Sequence, residues 1–420
     1  MDKAVFQRHR ARFLARMADR AIAVFYAGEA PHKTADQFYP YEVNRNFYYL
    51  TGLSKPNMNL VILKDQGRVF EFLFVEETND YINKWLGRRM TKEEAAEIAG
   101  IDERNVRYLT EFREFVATCL SNNRRAVVQK PAHLYLDLFR PKADFEAAAL
   151  VKSRFVVDLY PELALHDACE ILDAMRREKD PEEIASIEDA VDHSRYAIEG
   201  VLKHARRGTN EREIAGYYEY LLRQHGSEGM SFNPIVASGK NAAVLHYEDN
   251  DKDVPDGALV LLDLGALSGP YASDISRTFP ISGRFGPRQK ELYQLVLDVN
   301  KQTIAYVRPG LMMADLNKFA RDLLAAGMVR LGLIQTPEEV GKYYYHNVSH
   351  FLGLDVHDVG TYLEPLKPGV VLTVEPGIYV EEEGIGIRIE DNVAVTETGG
   401  KNLSAGILKE IADIESFMAK

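Results

Sequence analysis

Four acidic side chains stand in apolar strand contexts that give them no ready partner. Asp263 sits near the end of the run Ala258–Leu264, whose other members are all apolar. Asp274 follows 11 residues later, beyond a GPYAS turn and directly before Ile275. Glu375 lies between Val374 and Pro376. Along Gly386–Val395, alternation puts Ile387, Ile389 and Asp391 on one face and Arg388, Glu390 and Asn392 on the other. A carboxylate in such surroundings must be neutralised, paired or metal-bound, because burying it charged and alone is costly. Histidines accompany the acids: of 11 in the chain, only His246, His346, His350 and His357 lie beyond residue 240.

Four acids and an imidazole carry too much negative charge for a single zinc ion, and the wrong donors for a thiolate site. Oxygen-rich ligation with one nitrogen suits Mn²⁺, Co²⁺, Fe²⁺ or Zn²⁺ in a two-ion cluster. Two ions held about 3.5–4 Å apart by bridging carboxylates supply an activated water, which is hydrolytic chemistry. The residues alone leave a purely structural acid network open as the second reading. Other chemistries lack a motif: there is no Walker A run, no GxSxG elbow and no GxGxxG. The HDAC segment at His166–Cys169 has no metal-ligand spacing, and neither Cys119 nor Cys169 has a base nearby in the sequence.

The elements that must position these groups divide the chain in two. Over the first 160 residues, apolar runs at Ile22–Tyr26, Asn59–Leu63, Val69–Phe74 and Ala126–Gln129 read as strands, with a last one at Phe155–Leu159. The charged segment Thr91–Ile98 reads as a helix, so the pattern is that of an α/β domain. The charge-dense stretch Met175–Glu183, which holds Pro181, suits a boundary. We therefore expect one domain over 1–176 and another over 177–420. In the second, helices are expected over Pro181–Gly208, Asn210–Gly226, Pro287–Val307 and Asp315–Leu331. Asn210 with Glu213 has capping-box spacing, and Gly226 is placed to stop its helix. Strands are expected at Leu259–Leu264, Val370–Val374 and Ile385–Val395. The segments PDGALVLLDLG (Pro255–Gly265) and KPGVVLTVEPG (Lys367–Gly377) share one design of turn, apolar strand, acid and glycine. Each follows a helix rich in Arg, Ala and Leu, a pattern of internal duplication that would bring acids together from both halves.

The 420 residues, 46% hydrophobic and 27% charged, exclude a mainly disordered chain. The net charge of -12 opposes non-specific binding to nucleic acid or anionic lipid. No run of 18 apolar residues is present, so no membrane partner is expected. Two cysteines make no disulfide scaffold. The start is basic, with Arg8, Arg10, Arg12, Arg16 and Arg20, but has no secretory apolar core and reads as a helix leading into the first strand. A cytoplasmic setting is expected.

Five motifs carry a resemblance: SGKNAAVLHY (Ser238–Tyr247), LLDLGALSGPYASDISRTFPISG (Leu261–Gly283), HNVSHFLGLDVHDVG (His346–Gly360), LTVEPGIY (Leu372–Tyr379) and GIGIRIEDNVAVTETG (Gly384–Gly399). In this order they resemble the pita-bread metallopeptidases, in the proline-directed branch of aminopeptidase P and prolidase. The likeness runs from NRNFYYLTGL at Asn44–Leu53 to the end, and the first domain resembles that of aminopeptidase P. The resemblance implies an α+β fold, with a C-terminal pita-bread domain behind a smaller N-terminal α/β domain. It implies two divalent ions, usually Mn²⁺, with Co²⁺, Fe²⁺ or Zn²⁺ as substitutes. Their ligands would be Asp263, Asp274, His350, Glu375 and Glu390, with Asp274 and Glu390 bridging. Glu375 would act as general base, His357 would stabilise the oxyanion, His246 and His346 would orient substrate, and Arg388 would hold the acids.

The implied activity is release of the N-terminal residue from short peptides with proline second; the alternative is a prolidase confined to Xaa–Pro dipeptides. The segment KWLGRR (Lys84–Arg89) matches the part of aminopeptidase P that reaches a neighbouring active site, which would require a homodimer or homotetramer. Trp85, the only tryptophan, would then pack on substrate; as a bare residue it reads equally as domain core. One departure stands out. The family commonly has glycine after the first histidine of the motif that reads HNVSH here, and Asn347 in its place would narrow the cleft or alter its loop.

Overall fold

The computed structural model describes residues 1–121 and 128–419. The chain forms two compact units, Met1–Arg176 and Arg177–Lys420.

The first unit is built on a mixed six-stranded sheet. Its strands run in the order Val106–Tyr108, Arg68–Val75, Asn59–Asp65, Ala21–Tyr26, His133–Leu136 and Ala164–Asp167. Ala21–Tyr26 pairs antiparallel with Asn59–Asp65 and parallel with His133–Leu136. Ile22, Val24, Val61, Leu63 and Phe74 form its core with Phe112 and Val116 of the helix Phe112–Leu120. The expected helix is Lys92–Ala99, capped by Thr91 in a reciprocal pair with Glu94. One expectation does not hold. Phe155–Leu159 is not a strand: residues Arg154–Val157 are helical, and the last strand is Ala164–Asp167. A short apolar run carries no period that separates the two states. In Ala126–Gln129, Ala126 and Val127 lie outside the described residues, and Val128 and Gln129 are in no strand.

In the second unit, the helices Pro181–His204, Glu211–Gln224, Pro287–Tyr306 and Met313–Arg330 accompany short two- and three-stranded sheets. Leu259–Leu264 lies between Ile275–Pro280 and Ile235–Ser238, antiparallel to both. Asp391–Val395 lies between Val371–Val374 and Gly400–Asn402 in the same manner. A two-stranded ribbon pairs Gly377–Val380 with Ile385–Arg388. The two repeated segments fold alike: each strand is entered through a glycine at positive φ, +73° at Gly257 and +90° at Gly369, where an L side chain would be strained. Leu259, Val260, Leu261, Leu262 and Leu264 are each 2% exposed or less. At roughly 1.5–3 kcal/mol per buried side chain, they anchor the strand that presents Asp263.

The expected strand Ile385–Val395 is interrupted: Ile389 and Glu390 belong to neither Ile385–Arg388 nor Asp391–Val395. The Asn210 side chain caps its helix by accepting from Arg212 N–H, while the Glu213 carboxylate turns to His204 instead of closing a capping box. Among the described residues, no helix is long and apolar enough to cross a membrane.

Candidate metal-binding active site

Strand pairing brings the distant acids together. Leu259–Leu264 and Ile275–Pro280 are in register with Asp263 opposite Ser276, which places Asp274 just before the second strand. On the other half, residues 348–351 run beside the strand Val371–Val374. Thr373 N–H donates to His350 C=O at 2.9 Å and Glu375 N–H to Val348 C=O at 2.9 Å. The halves then join: Glu390 N–H donates to Ser276 C=O at 3.0 Å, in the break between its two strands. Asn300, on the helix Pro287–Tyr306, supports this junction by donating to Val374 C=O and Ile389 C=O, both at 3.1 Å.

The result is a cavity of about 240 Å³. It is lined by His246, Asp263, Asp274, His346, His350, His357, Glu375, Arg388 and Glu390, together with Leu245, Asn347, Ser349 and Tyr362. All nine residues that the sequence points to therefore face one space. Ligand atoms of Asp274, His350 and Glu390 lie within 4.8 Å of one another. His350 Nε2 is 3.4 Å from Asp274 Oδ2 and 3.6 Å from Glu375 Oε1.

The charges do not balance. Four carboxylates line the cavity, and Arg388 is the one permanently charged base among its described lining residues. Each nitrogen of Arg388 is engaged: Nη2 donates to Asp263 Oδ2 at 2.6 Å, Nε to Ser276 Oγ at 2.7 Å and Nη1 to Tyr379 OH at 3.1 Å. Asp274 Oδ1 is buried without a hydrogen-bond partner. His350 Nδ1 lies 3.0 Å from Phe351 C=O, which can only accept, so Nδ1 carries the proton in the neutral ring and Nε2 presents a lone pair to the acids. An orphaned carboxylate oxygen on Asp274 and an imidazole nitrogen of His350 close to the same acids suit a cation site. This disfavours a purely structural acid network, which would need more bases than are present.

The titration behaviour of the side chains alone expresses the same imbalance. Burial, then the charge of Asp263, pushes the Asp274 carboxyl up to about 6. Burial pushes Glu375 up to about 7 against the pull of His350 and Arg388. Glu390 is also raised, by burial and then by the neighbouring Asp274 and Glu375. Burial disfavours the His350 imidazolium, but the hydrogen bond and charge of Asp274 together with Glu375 outweigh it and raise the ring to about 9. Protons and divalent cations thus compete for the same acids.

Several supporting residues carry no sequence signal of their own. Ser276 Oγ lies 2.8 Å from Glu390 Oε2 and 3.1 Å from Asp263 Oδ1, so its single proton serves two acids while it accepts from Arg388. Tyr379 OH, receiving from Arg388, lies 2.9 Å from His346 Nε2. His346 Nδ1 is 2.7 Å from Asn347 C=O and must donate to it, so the relay runs in one direction from Arg388 to that carbonyl. Burial holds His346 down at about 4, hence neutral. His357 sits edge-on to His350, with ring centroids 4.2 Å apart, and burial also lowers it. Its loop is fixed by a buried ion pair between Lys179 Nζ and Asp358 at 2.9 Å. His246 is exposed at the cavity, next to Tyr247, whose OH donates to Glu211 at 2.8 Å.

Comparison with known proteins places these features in context. Residues 185–397 match the profile of metallopeptidase family M24, and residues 6–128 that of the aminopeptidase P N-terminal domain. The chain is 33% identical to an Xaa-Pro aminopeptidase of Escherichia coli (strain K12), covering 100% of this chain and 98% of that protein. It is 32% identical to a mitochondrial intermediate cleaving peptidase 55 of Arabidopsis thaliana, over 96% of this chain and 80% of the relative. Among solved structures, a putative aminopeptidase P from Bacillus anthracis superposes with a TM-score of 0.95 at 43% identity, covering 100% of this chain and 99% of that one. Escherichia coli aminopeptidase P with the inhibitor Pro-Leu gives 0.89 at 32%, covering 100% and 98%.

Proposed function

This chain belongs to metallopeptidase family M24, with the α+β pita-bread fold of aminopeptidase P, and from that premise we propose that it removes the N-terminal residue from peptides whose second residue is proline. The observation that carries this reading is the convergence of Asp263, Asp274, His350, Glu375 and Glu390 on one cavity, with an acceptor left over at Asp274.

These five residues would hold two divalent ions, and the oxygen-rich set favours Mn²⁺. Bound there, the ions supply Lewis acidity towards the scissile carbonyl and acidify water. Glu375, which lines the cavity beside His350, takes the proton of the attacking water and passes it to the leaving nitrogen. His357, neutral and at the cavity surface, donates an N–H to the oxyanion that develops on the carbonyl. Arg388 and Ser276 keep Asp263 and Glu390 in place. His346 has both nitrogens engaged, so it orients Tyr379, while His246 is free to meet the substrate at the mouth.

Proline preference has a chemical basis. An Xaa–Pro bond lacks the N–H that peptidases of extended chains bind, and its ring fixes the local shape. Leu245 and Tyr362 give the cavity the apolar surface on which such a ring packs. Trp85, 73% exposed beside Tyr81 at 6.2 Å, is not a core residue, and supports a homo-oligomer in which it enters a neighbouring subunit's cleft.

The test compares Gly–Pro with a tripeptide bearing proline second, in the presence of Mn²⁺. Release of the first residue from the tripeptide is expected. Cleavage restricted to the dipeptide would assign the chain to the prolidase type instead.

A further inference from the structure

The first unit holds a cavity of its own, of about 230 Å³, and the topology of its sheet says why it is there. The chain first builds outward on one side of Ala21–Tyr26, through Asn59–Asp65, Arg68–Val75 and Val106–Tyr108. It then returns to the other side with His133–Leu136 and Ala164–Asp167. Ala21–Tyr26 is thus the strand at which the order reverses. In open α/β sheets, the crevice beyond the carboxyl end of such a strand is where ligands bind. The cavity lies at that end: Tyr26 closes the strand, Gly28 follows it, and Asn59 stands opposite Tyr26 on the antiparallel neighbour. Helical segments wall it, with Phe112 and Arg113 opening Phe112–Leu120, and Lys152 and Phe155 from Ala148–Lys152 and Arg154–Val157.

Its chemistry is the reverse of the active site's. Among the described lining residues are two cations and no acid, in a chain whose net charge is -12. Lys152 pairs with the exposed Glu29 at 2.9 Å. Arg113 has no hydrogen-bond or ion-pair partner among the described residues, and its guanidinium lies over the Phe155 ring at 5.0 Å. Asn59 is only 8% exposed, yet its side-chain amide makes no hydrogen bond among the described residues. Buried amides are normally satisfied, so this one is placed to meet something that enters the cavity. Beside these polar groups runs an aromatic wall, where Phe112 stands edge-on to Tyr26 at 5.9 Å and to Phe155 at 6.0 Å. The frame is fixed: Tyr26 OH and Ser153 Oγ are hydrogen-bonded at 2.7 Å, and Asn57 N–H donates to Gly28 C=O at 2.9 Å.

We propose that this cavity binds a small organic carboxylate with an aromatic or branched apolar body. Arg113 and the Asn59 amide take the carboxylate, and the rings of Tyr26, Phe112 and Phe155 take the body. The planar guanidinium fork matches a carboxylate, and its place over Phe155 holds it ready. With no acid in the lining to receive an ammonium, free amino acids bind less well than acids that lack one. This site is independent of the function proposed above.

The experiment titrates the whole chain calorimetrically with hydrocinnamate, hydrocinnamyl alcohol, phenylalanine and inorganic phosphate, once loaded with Mn²⁺ and once after chelation. One hydrocinnamate per chain is expected in both states, with the alcohol and phenylalanine at least about tenfold weaker. Arg113→Gln should weaken hydrocinnamate by about tenfold or more and leave Mn²⁺ binding unchanged. Asn59→Leu, similar in volume, should weaken it too; should that variant fail to fold, Arg113→Gln still decides, because Arg113 is exposed on its helix. Absence of saturable binding overturns the proposal, as does binding undiminished in Arg113→Gln. Binding lost on chelation also overturns it, since the carboxylate is then held by metal. Phosphate binding as tightly as hydrocinnamate overturns it as well, and leaves only a simple anion site.

Discussion

Asn392 satisfies both backbone polar groups of Asp274, across 118 residues of sequence: its Oδ1 accepts from Asp274 N–H at 3.1 Å, and its Nδ2 donates to Asp274 C=O at 2.6 Å. This pair closes a residue between strands as a ladder would, and it joins the two halves of the second unit directly behind an acid of the candidate metal site. Both residues are buried, Asn392 completely. Replacing Asn392 by Ala leaves a buried N–H and a buried C=O without partners, at about 1–3 kcal/mol each. The expected outcome is a fall in the denaturation midpoint equivalent to about 2–6 kcal/mol, read by denaturant titration with the slope unchanged.

Ser276 shares one hydroxyl proton between Asp263 and Glu390 while accepting from Arg388. Without that hydroxyl the acids lose a donor and the guanidinium an acceptor. We expect Ser276→Ala to weaken divalent-ion affinity by about 10- to 100-fold, the usual cost of losing a group that orients metal ligands. Calorimetric titration reads this independently of turnover.

Stability of the chelator-treated protein should show an inverted pH dependence at the cluster. Asp274 is raised from 3.8 to about 6, so between those values the folded state binds a proton that the unfolded state has lost. Stability then falls as pH rises through this window. At neutral pH the penalty is on the order of 3 kcal/mol. His350, raised from 6.5 to about 9, acts in the same sense: its contribution is present below 6.5 and lost as pH rises through 9. Asp274→Asn should therefore flatten the fall in stability of the metal-stripped protein between pH 4 and pH 7, since it removes both the Asp274 titration and the charge that raises His350. Urea titrations of both proteins across that range measure the difference, and equal destabilisation at both pH values contradicts the account.

Behind Glu390 the next residue points the other way. Asp391 is fully buried and paired with Arg277 at 2.8 Å and Lys409 at 2.6 Å, and Arg277 also donates to Glu390 C=O at 2.6 Å. Burial alone would raise the Asp391 carboxyl, but the two cations outweigh it and hold it below its usual range. Its stabilisation is present above pH 3.8 and is lost as pH falls through the lowered value. Asp391→Asn leaves the buried Arg277 and the partly buried Lys409 without their counter-charge and should cost about 3–5 kcal/mol, read as a lowered denaturation midpoint.

How much of this was legible in the sequence depends on whether the signal is local. Leu259–Leu264 is an apolar run bounded by a Pro-Asp-Gly turn, and the strand has those bounds. The acids stood out because an ionised group among Val and Leu needs an explanation. Ser276 and Tyr379 did not, since a lone hydroxyl in a strand is ordinary until register sets it opposite Asp263 or beside Arg388. The alternation over Gly386–Val395 gave the correct faces for Arg388, Glu390 and Asn392, yet read as one strand what is two. The break follows from tertiary pairing, as Glu390 N–H turns to Ser276 on the other half. The helix at Arg154–Val157 is too short to declare itself, because four residues show neither period.

The central claim is that acids from both halves of the second unit meet to hold a pair of divalent ions. Calorimetric titration of the chelator-stripped protein with Mn²⁺ tests it most directly. Two ions bound per chain, with both lost in Asp274→Asn, is the predicted result; no binding by the natural chain, or binding undiminished in that variant, would contradict it.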